Sequence, residues 1–393
     1  MDGGVEVEEI DIVIVGAGIC GLATALLFTE ILRASGSAIG VLANGWRALD
    51  QLGVGSKLRQ TALPLQGARH IWMDTNEQRT FPISKGERRC VKRSDLLQVL
   101  AEDLPIGTIR YGCPVLSLYL DPFTSYPTLQ LRNGPTIKAK IVIGCDGAKS
   151  VVAEFLKLKP NKLFPKCAVR VLTSYPNEHG FVPEFVRTYR GHVFCGRAPI
   201  NENLVYWFLD PPEFPPDEKV YKDPELIRHM CLEKANGFPN EIITTIQNSD
   251  PNHLSLTHLT YRAPWDVLVA SFREGTVTVA GDAMHVMGPF LGQGGSAALE
   301  DGVVLARCLA YKIGEADLHG SYGRLIVQQK VGEAMDAYVR ERRMRLVGLS
   351  AQTYLTGLLQ LTSLMPLKLF IKFLMAVFFP DPVGHTRYDC GRL

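Results

Sequence analysis

Six residues near the N-terminus restrict this chain more than any other feature. Gly16-Ala17-Gly18-Ile19-Cys20-Gly21 directly succeeds the apolar run Ile10-Asp11-Ile12-Val13-Ile14-Val15 and opens an Ala- and Leu-rich stretch reaching about Leu32. A short β-branched run ending at glycine reads as a buried parallel strand, and the Ala- and Leu-rich stretch reads as a helix. In that setting the G-x-G-x-x-G spacing has a physical meaning. The first glycine permits a tight turn, the second lets backbone approach a pyrophosphate, and the third lets helix and strand pack closely. The free N–H groups and positive dipole end of the helix start complete an anion site. The spacing alone is a weak signal; between a strand and a helix it points to a dinucleotide.

One part of that fingerprint is missing. An acidic residue that holds a ribose hydroxyl is expected about 20 residues on, at the end of a second strand. From Ile31 to Leu49 there is no Asp or Glu, and Glu30 lies too early. Arg33-Ala34-Ser35-Gly36-Ser37-Ala38 comes almost at once after the helix, so the βαβ unit reads as truncated.

Two distant segments repeat the strand-then-glycine theme. Ile141-Val142-Ile143 leads into Gly144-Cys145-Asp146-Gly147-Ala148-Lys149-Ser150, and Thr276–Ala280 leads into Gly281-Asp282. A further run, Gly288-Pro289-Phe290-Leu291-Gly292-Gln293-Gly294-Gly295, precedes another helical stretch. Asp146 has a simple alternative as a turn residue. Its place at a strand C-terminus, where open α/β sheets bind ligands, also suits a cofactor contact.

Between about Lys162 and Pro264 the pattern changes to alternating and aromatic-rich segments, the signature of an antiparallel sheet with one covered face. Pro211-Pro212-Glu213-Phe214-Pro215-Pro216 within it reads as a loop. Val91–Leu104 reads as a helix. The expected fold class is therefore α/β, a Rossmann-like FAD/NAD(P)-binding domain with an inserted antiparallel β-sheet substrate domain and a C-terminal helical segment. The boundaries read as 1–65, 91–160 and 265–345 for the first, 66–90 and 161–264 for the second, and 346–393 for the tail. Arg170, Tyr189, Tyr206 and Trp207 are pocket candidates by location in the sheet alone.

The three glycine segments, in this order, resemble the single-component FAD-dependent aromatic hydroxylases, the class of salicylate and para-hydroxybenzoate hydroxylases. The closer likeness is to the plant FAD-dependent monooxygenases of that class. It rests on Leu32-Arg33-Ala34-Ser35-Gly36-Ser37-Ala38-Ile39, Asn44-Gly45-Trp46-Arg47-Ala48-Leu49-Asp50 and His385-Thr386-Arg387-Tyr388-Asp389-Cys390-Gly391. The resemblance implies an FAD-dependent enzyme reduced by NADPH or NADH that uses O2 to hydroxylate a small aromatic or hydrophobic substrate. It implies that Gly16, Ala17, Gly18 and Gly21 cradle the FAD pyrophosphate and that Arg93 reaches the phosphate and ribityl region. Val115 would meet the adenine through its backbone, Asp146 would support the cofactor, and Asp282 would bind the ribityl chain. Pro289 would lie beside the flavin, with Gly292, Gln293, Gly294 and Gly295 facing its ring. No catalytic side chain comes with the resemblance. His285 stands where the class usually has His-Pro, and a structural turn histidine is the simpler reading. Members of the class carry a loop, a strand and the ribose acid, on the order of 15 residues together, ahead of the Leu-Arg-Ala-Ser-Gly segment. Their loss here predicts exposed strand edges and weakened FAD binding.

Composition excludes several other classes. A net charge of +2 gives no bulk attraction to nucleic acid. The Arg342-Arg343-Met344-Arg345 cluster reads as a solvated helix face. Nine scattered cysteines without C-x-x-C predict reduced structural thiols, and no metal site is expected. The acidic start carries no targeting pattern, which makes the cytoplasm the default expectation. Leu355–Phe379 is strongly apolar, but Lys368, Lys372 and Pro366 interrupt it. A packed helix pair is the simplest reading, with weak membrane-surface contact as the alternative. Oligomeric state is not legible. Two other functions stay open: flavin epoxidation of an isoprenoid or lipid-like substrate, and a flavin-deficient, non-catalytic form.

Overall fold

The structure, a computed structural model, describes residues 7–26, 37–82, 86–132, 134–211, 218–317 and 324–393. The first part of the chain runs β1 (Val7–Val15), α1 (Ile19–Ala25), β2 (Ala38–Val41), α2 (Ala43–Gln51) and α3 (Gly55–Arg59). Next come β3 (Gly67–Trp72), β4 (Glu77–Pro82), β5 (Arg89–Lys92), α4 (Arg93–Ala101), β6 (Val115–Leu120), β7 (Pro127–Leu131), β8 (Thr136–Gly144) and α5 (Val151–Phe155). The middle consists of β9 (Lys162–Ser174), β10 (Glu184–Arg190), β11 (Val193–Pro199), β12 (Leu204–Asp210), α6 (Pro224–Lys234), α7 (Asn240–Gln247) and β13 (Ser255–Tyr261). The last part is α8 (Pro264–Val269), β14 (Arg273–Glu274), β15 (Val277–Val279), α9 (Asp282–His285), α10 (Gly294–Asp317), α11 (Arg324–Leu361) and α12 (Met365–Phe378). The expected helix over 91–104 is shorter than its pattern: Val91 and Lys92 belong to β5, and the helix proper begins at Arg93. The loop expected at Pro211–Pro216 lies, from residue 212 on, outside the described residues, as does the segment 27–36.

Strands divide between two main sheets. One has the order β14-β15-β8-β7-β6, with β1 parallel to β8 on its other side. The apolar runs ending at Val15, Gly144 and Val279 lie side by side in it, paired through Val15↔Gly144 and Val279↔Gly144. All three glycine segments therefore leave the same end of the sheet, because parallel pairing aligns strand C-termini.

Among the described residues β1 pairs with β8 alone. β2 does not join it; it pairs antiparallel with β5 as a separate two-stranded ribbon. β1 is consequently an open edge with half-buried side chains, and Val7 is exposed. That is the physical consequence of a truncated βαβ unit, since a parallel strand is normally covered on both sides.

The second sheet has the order β13-β9-β12-β11-β10-β3-β4. It is mixed, not purely antiparallel, because β10 runs parallel to β3. The intervening connection is long enough for strands 67–72 and 184–190 to meet in the same direction. One face packs against α6 and α7 through Val169, Val171, Trp207, Leu209, Ile227, Cys231 and Ile246. The other turns towards the first sheet's core, which Leu172 and Ala198 join.

α11 buries Val331, Met335, Tyr338, Leu346 and Leu349 along one stripe of helical period. It runs unbroken through residue 345. α12 behaves differently. Ile371 is its one buried residue, whereas Met365, Leu367, Leu369, Phe370, Phe373, Val377 and Phe378 are exposed. The expectation of a well-packed C-terminal helix pair holds for α11 and fails for α12. No helix among the described residues is long and apolar enough to cross a membrane.

Candidate functional site

The glycines show how closely the three segments converge. Gly16 adopts φ +101°, and a Cβ there would lie 2.6 Å from Asp146 Cα and from the Cys145 carbonyl oxygen. A Cβ on Gly21 would meet the Gly16 oxygen at 2.0 Å, so the helix start and the turn are in backbone contact. A Cβ on Gly281, at φ +61°, would lie 2.8 Å from Cys20 Cβ, and one on Gly295 would lie 1.9 Å from Ile39 Cδ1. The Cys145 N–H donates to Val15 O at 2.7 Å and the Ala280 N–H to Gly144 O at 2.9 Å, which pins the segments to one another. Around Gly18 and Gly292, by contrast, a Cβ would meet nothing within 4 Å. These two glycines border open space beside backbone N–H groups, the kind of cradle a pyrophosphate and a flavin ring require.

Asp282, Pro289 and Gly292 are exposed, while Gln293 is buried. Burial pushes the Arg93 guanidinium below its ordinary value, and Asp282 opposes that shift, so the two side chains lie within electrostatic reach. The structure thus brings Arg93, from α4, to the Gly-Asp segment. Asp146 accepts the Val151 N–H at 2.8 Å through Oδ2, while its buried Oδ1 has no hydrogen-bond partner. It serves a local helix start. Burial raises its carboxyl. None of these close approaches involves Val115, which opens β6 and pairs with Leu131.

A buried charge network that the sequence reading missed lies behind the glycines. Arg342 donates to Asp301 Oδ1 at 2.7 Å and pairs with Glu300 Oε2 at 2.7 Å, with all three side chains wholly buried. Asp301 Oδ2 also accepts the Gly281 N–H at 2.9 Å and lies 2.5 Å from His285 Nε2. Glu300 Oε1 accepts from Asn44 Nδ2 at 2.6 Å and from Arg345 at 3.0 Å, and Asn44 donates to Gln293 Oε1 at 2.8 Å. Burial pushes the Asp301 carboxyl up, but His285 and Arg342 hold it below the usual carboxylate range. The network therefore ties the Gly281-Asp282 turn to the Gly292–Gly295 loop. The basic cluster is not a solvated face: Arg342 is buried, and Arg343 donates to the carbonyls of Val267, Leu268 and Ala270. A signal for this exists, since Arg342 falls between Tyr338 and Leu346 on the apolar stripe of α11. His285 is fully buried, with Nε2 on Asp301.

Of the four sheet candidates, Arg170, Tyr189 and Tyr206 lie on the face turned towards the first sheet. Trp207 does not; it is buried on the opposite face, where Nε1 donates to Thr173 Oγ1 at 2.9 Å. Alternation along β12 forces this, because adjacent residues point to opposite sides. An open surface groove of about 450 Å³, lined by Ser125, Arg273, Thr276, Gln328 and Asp336 among others, includes none of residues 16–21, 144–150 or 281–295. No cluster of potential metal ligands occurs among the described residues.

This combination, a glycine turn and two strand-end glycine segments meeting beneath a mixed sheet, defines an FAD-binding monooxygenase. The family model described as FAD binding domain matches residues 9–331, and the chain belongs to that family. Monooxygenase 1 of Arabidopsis thaliana is 48% identical, over 98% of this chain and 100% of that protein. Monooxygenase 2 of the same plant is 34% identical over 98% of both. The first alignment extends over 400 positions, more than the 393 residues here, so this chain lacks residues that Monooxygenase 1 carries. Among solved structures, Klebsiella pneumoniae HpxO complexed with FAD and uric acid superposes with a TM-score of 0.76 at 19% identity, covering 98% of this chain and 97% of that one.

Proposed function

We propose that this chain takes electrons from NADPH or NADH and inserts one oxygen of O2 into a small aromatic or hydrophobic molecule. The observation that carries the proposal is the open space at Gly18 and Gly292, bounded by three converging strand ends. Bound FAD supplies the electron transfer and oxygen chemistry; the protein binds, orients and shields it. In this reading the unit built on the first sheet holds the cofactor and the seven-stranded sheet covers the substrate. The N–H groups of Gly16–Gly21 donate to the pyrophosphate, Asp282 accepts from the ribityl hydroxyls, and Arg93 offsets phosphate charge. The N–H groups of Gly292–Gly295 would face the flavin ring as donors, an arrangement suited to negative charge on the ring. Asp146, Pro289 and Val115 complete the lining. Epoxidation of a lipid-like molecule is the competing reaction.

An absorbance spectrum of the purified chain with added FAD tests the reading. Flavin bands bleached by NADPH without oxygen and restored by air support it; protein that takes up no flavin overturns it. Screening phenolic compounds for stimulated NADPH oxidation then separates hydroxylation from epoxidation.

The exposed apolar surface of α12 supports a second reading, peripheral contact with an anionic membrane surface. The helix carries Lys368 and Lys372 and no acid, so it matches anionic headgroups in charge. A second copy would bring these lysines together without a counter-charge on the helix.

A further inference from the structure

Phe290, in the loop between Pro289 and Gly292, begins an aromatic cluster that reaches the protein surface. Its ring meets Phe164 of β9 edge-on at 5.3 Å, and Phe164 lies 4.4 Å from Tyr261 and 5.9 Å from Tyr354 of α11. Tyr354 in turn meets Trp265 of α8 edge-on at 5.7 Å. Phe164 and Phe290 are buried, whereas Trp265 is 48% exposed. The cluster thus runs ring to ring from the glycine loop to the outside.

Helix α11 is fitted closely to these rings. A Cβ on Gly357 would lie 2.5 Å from Phe290 Cε2 and 2.9 Å from Phe164 Cε1, so the helix backbone rests on both. Leu361, the last residue of α11, packs on the same cluster. Met365 opens α12 shortly after, no more than about 14 Å away even along an extended chain.

On α12, Phe370, Phe373 and Val377 recur at i, i+3 and i+7 and share one exposed face, with Lys368 and Lys372 off it. The 14 residues of this helix rise about 21 Å, short of a hydrocarbon core of about 30 Å, so it can lie on a bilayer but not cross one. Lysine stems lie along apolar surface while their ammonium groups reach outward. Lys162 stands over Trp265 at 5.0 Å, a third cation, at the outer end of the cluster. The acids closest in sequence are engaged: Asp266 of α8 is buried on Lys159, and Asp381 pairs with Arg387. Apolar side chains with flanking cations match an anionic bilayer, and a half-exposed tryptophan suits its boundary.

We propose that α12 and the Trp265 end of the cluster seat together on an anionic membrane, and that the enzyme draws a lipid-dissolved substrate from it towards the Pro289–Gly292 loop. This rests on the monooxygenase reading and narrows it: the substrate is a long-chain, membrane-partitioned molecule, not a small water-soluble one.

The test uses the purified full chain and phosphatidylserine vesicles. Dibrominated phosphatidylcholine in the vesicles quenches an indole that touches acyl chains, and quenching is read before FAD is added. Trp46 and Trp207 are buried and Trp72 is stacked on Tyr189, so Trp265 should supply the quenched emission. We expect the parent to dim, Trp265→Phe to dim far less, and the double variant Phe370→Ser/Phe373→Ser to be unaffected. After FAD loading, NADPH oxidation is followed on unbrominated vesicles with 4-dodecylphenol or geranylgeraniol in the lipid, or phenol in the water. At least one lipid-borne probe should stimulate oxidation more than phenol, and its effect should fall about fivefold in Lys368→Gln at low salt. Stimulation by dodecylphenol alone assigns an aromatic substrate; by geranylgeraniol alone, an isoprenoid. Unquenched Trp265 in vesicle-bound protein overturns the proposal, as does self-association without vesicle binding. Phenol matching both lipid-borne probes, or neither probe acting on flavin-loaded, vesicle-bound protein, overturns the substrate assignment. A chain that takes up no flavin while Trp265 is quenched loses the monooxygenase reading and keeps the membrane seat.

Discussion

Asp301 and Arg342 meet 2.7 Å apart in the protein interior, Nε donating to Oδ1, and neither side chain reaches solvent. Asp301 simultaneously holds the Gly281 N–H, so a helix–helix ion pair and the Gly-Asp turn share one carboxylate.

Removing one partner should be costly. Arg342→Met leaves Glu300 short of a donor and Asp301 with His285 and Gly281 alone, and we expect a loss of about 3–5 kcal/mol in chemical denaturation. A loss under about 1 kcal/mol would mean that water or relaxation replaces the arginine. Asp301→Asn should additionally weaken FAD binding, because the Gly281 turn loses its strongest acceptor.

Two glycines of the same turn should respond in opposite ways. Gly21→Ala forces a Cβ to within 2.0 Å of backbone oxygen, so the variant should be destabilised by about 3 kcal/mol or more. Gly18→Ala meets nothing within 4 Å and has an ordinary φ of −82°, so stability should change by less than about 1 kcal/mol. FAD affinity should nevertheless fall about tenfold or more, since the added methyl fills the cradle. Equal FAD affinity for Gly18→Ala and the parent would remove the pyrophosphate from this turn.

The open edge of β1 bears on cofactor retention. With no ribose carboxylate from Ile31 to Leu49 and one side of β1 unpaired among the described residues, FAD should bind weakly. Purified protein is expected to carry less than one flavin per chain, and added FAD to raise its melting temperature. Stoichiometric flavin with nanomolar affinity is the result that contradicts this.

The exposed helix α12 makes a separate prediction. Full-length protein should sediment with vesicles containing phosphatidylserine and much less with neutral phosphatidylcholine vesicles. Lys368→Gln and Lys372→Gln should each weaken binding about fivefold at low salt, from about 1 kcal/mol per basic residue. Phe370→Ser with Phe373→Ser should abolish it. Indifference to both lipid charge and the phenylalanines would point instead to a protein partner.

His385 sets an acid-side dependence. Its folded value of about 4 lies below the ordinary value of about 6.5, mainly through burial. As pH falls from 6.5 towards 4 the unfolded chain takes up the proton first, so stability present above pH 6.5 is progressively lost. Relative to the parent, His385→Asn should flatten the stability profile in this window by up to about 1.4 kcal/mol per pH unit. Parallel profiles for the two proteins would show that other groups control the slope.

Local signals are legible where chemistry and backbone geometry coincide. Gly16, Gly18 and Gly21 can be read because strand, turn and helix are contiguous, and Asp146 and Asp282 because each ends an apolar run. Trp207 defeats such a reading because strand periodicity says which residues share a face, not which face meets the cofactor unit. Arg342 escapes it because a charged run looks solvated until helical phase is weighed, and its partners lie 41 and 42 residues away in α10. α12 looks packed because its composition is apolar; composition cannot supply a surface to pack against.

The sequence by itself determined the FAD-binding class and the truncation of its first βαβ unit, since both are contiguous patterns of glycines, apolar runs and a missing acid. Tertiary structure alone decided that β1 is an edge among the described residues and that β2 turns away to β5. It also decided that Asp301 joins the Gly-Asp turn to Arg342. These are relationships between residues far apart in the chain, fixed by sheet register and helix packing, and no local pattern encodes which distant side chain fills a given space.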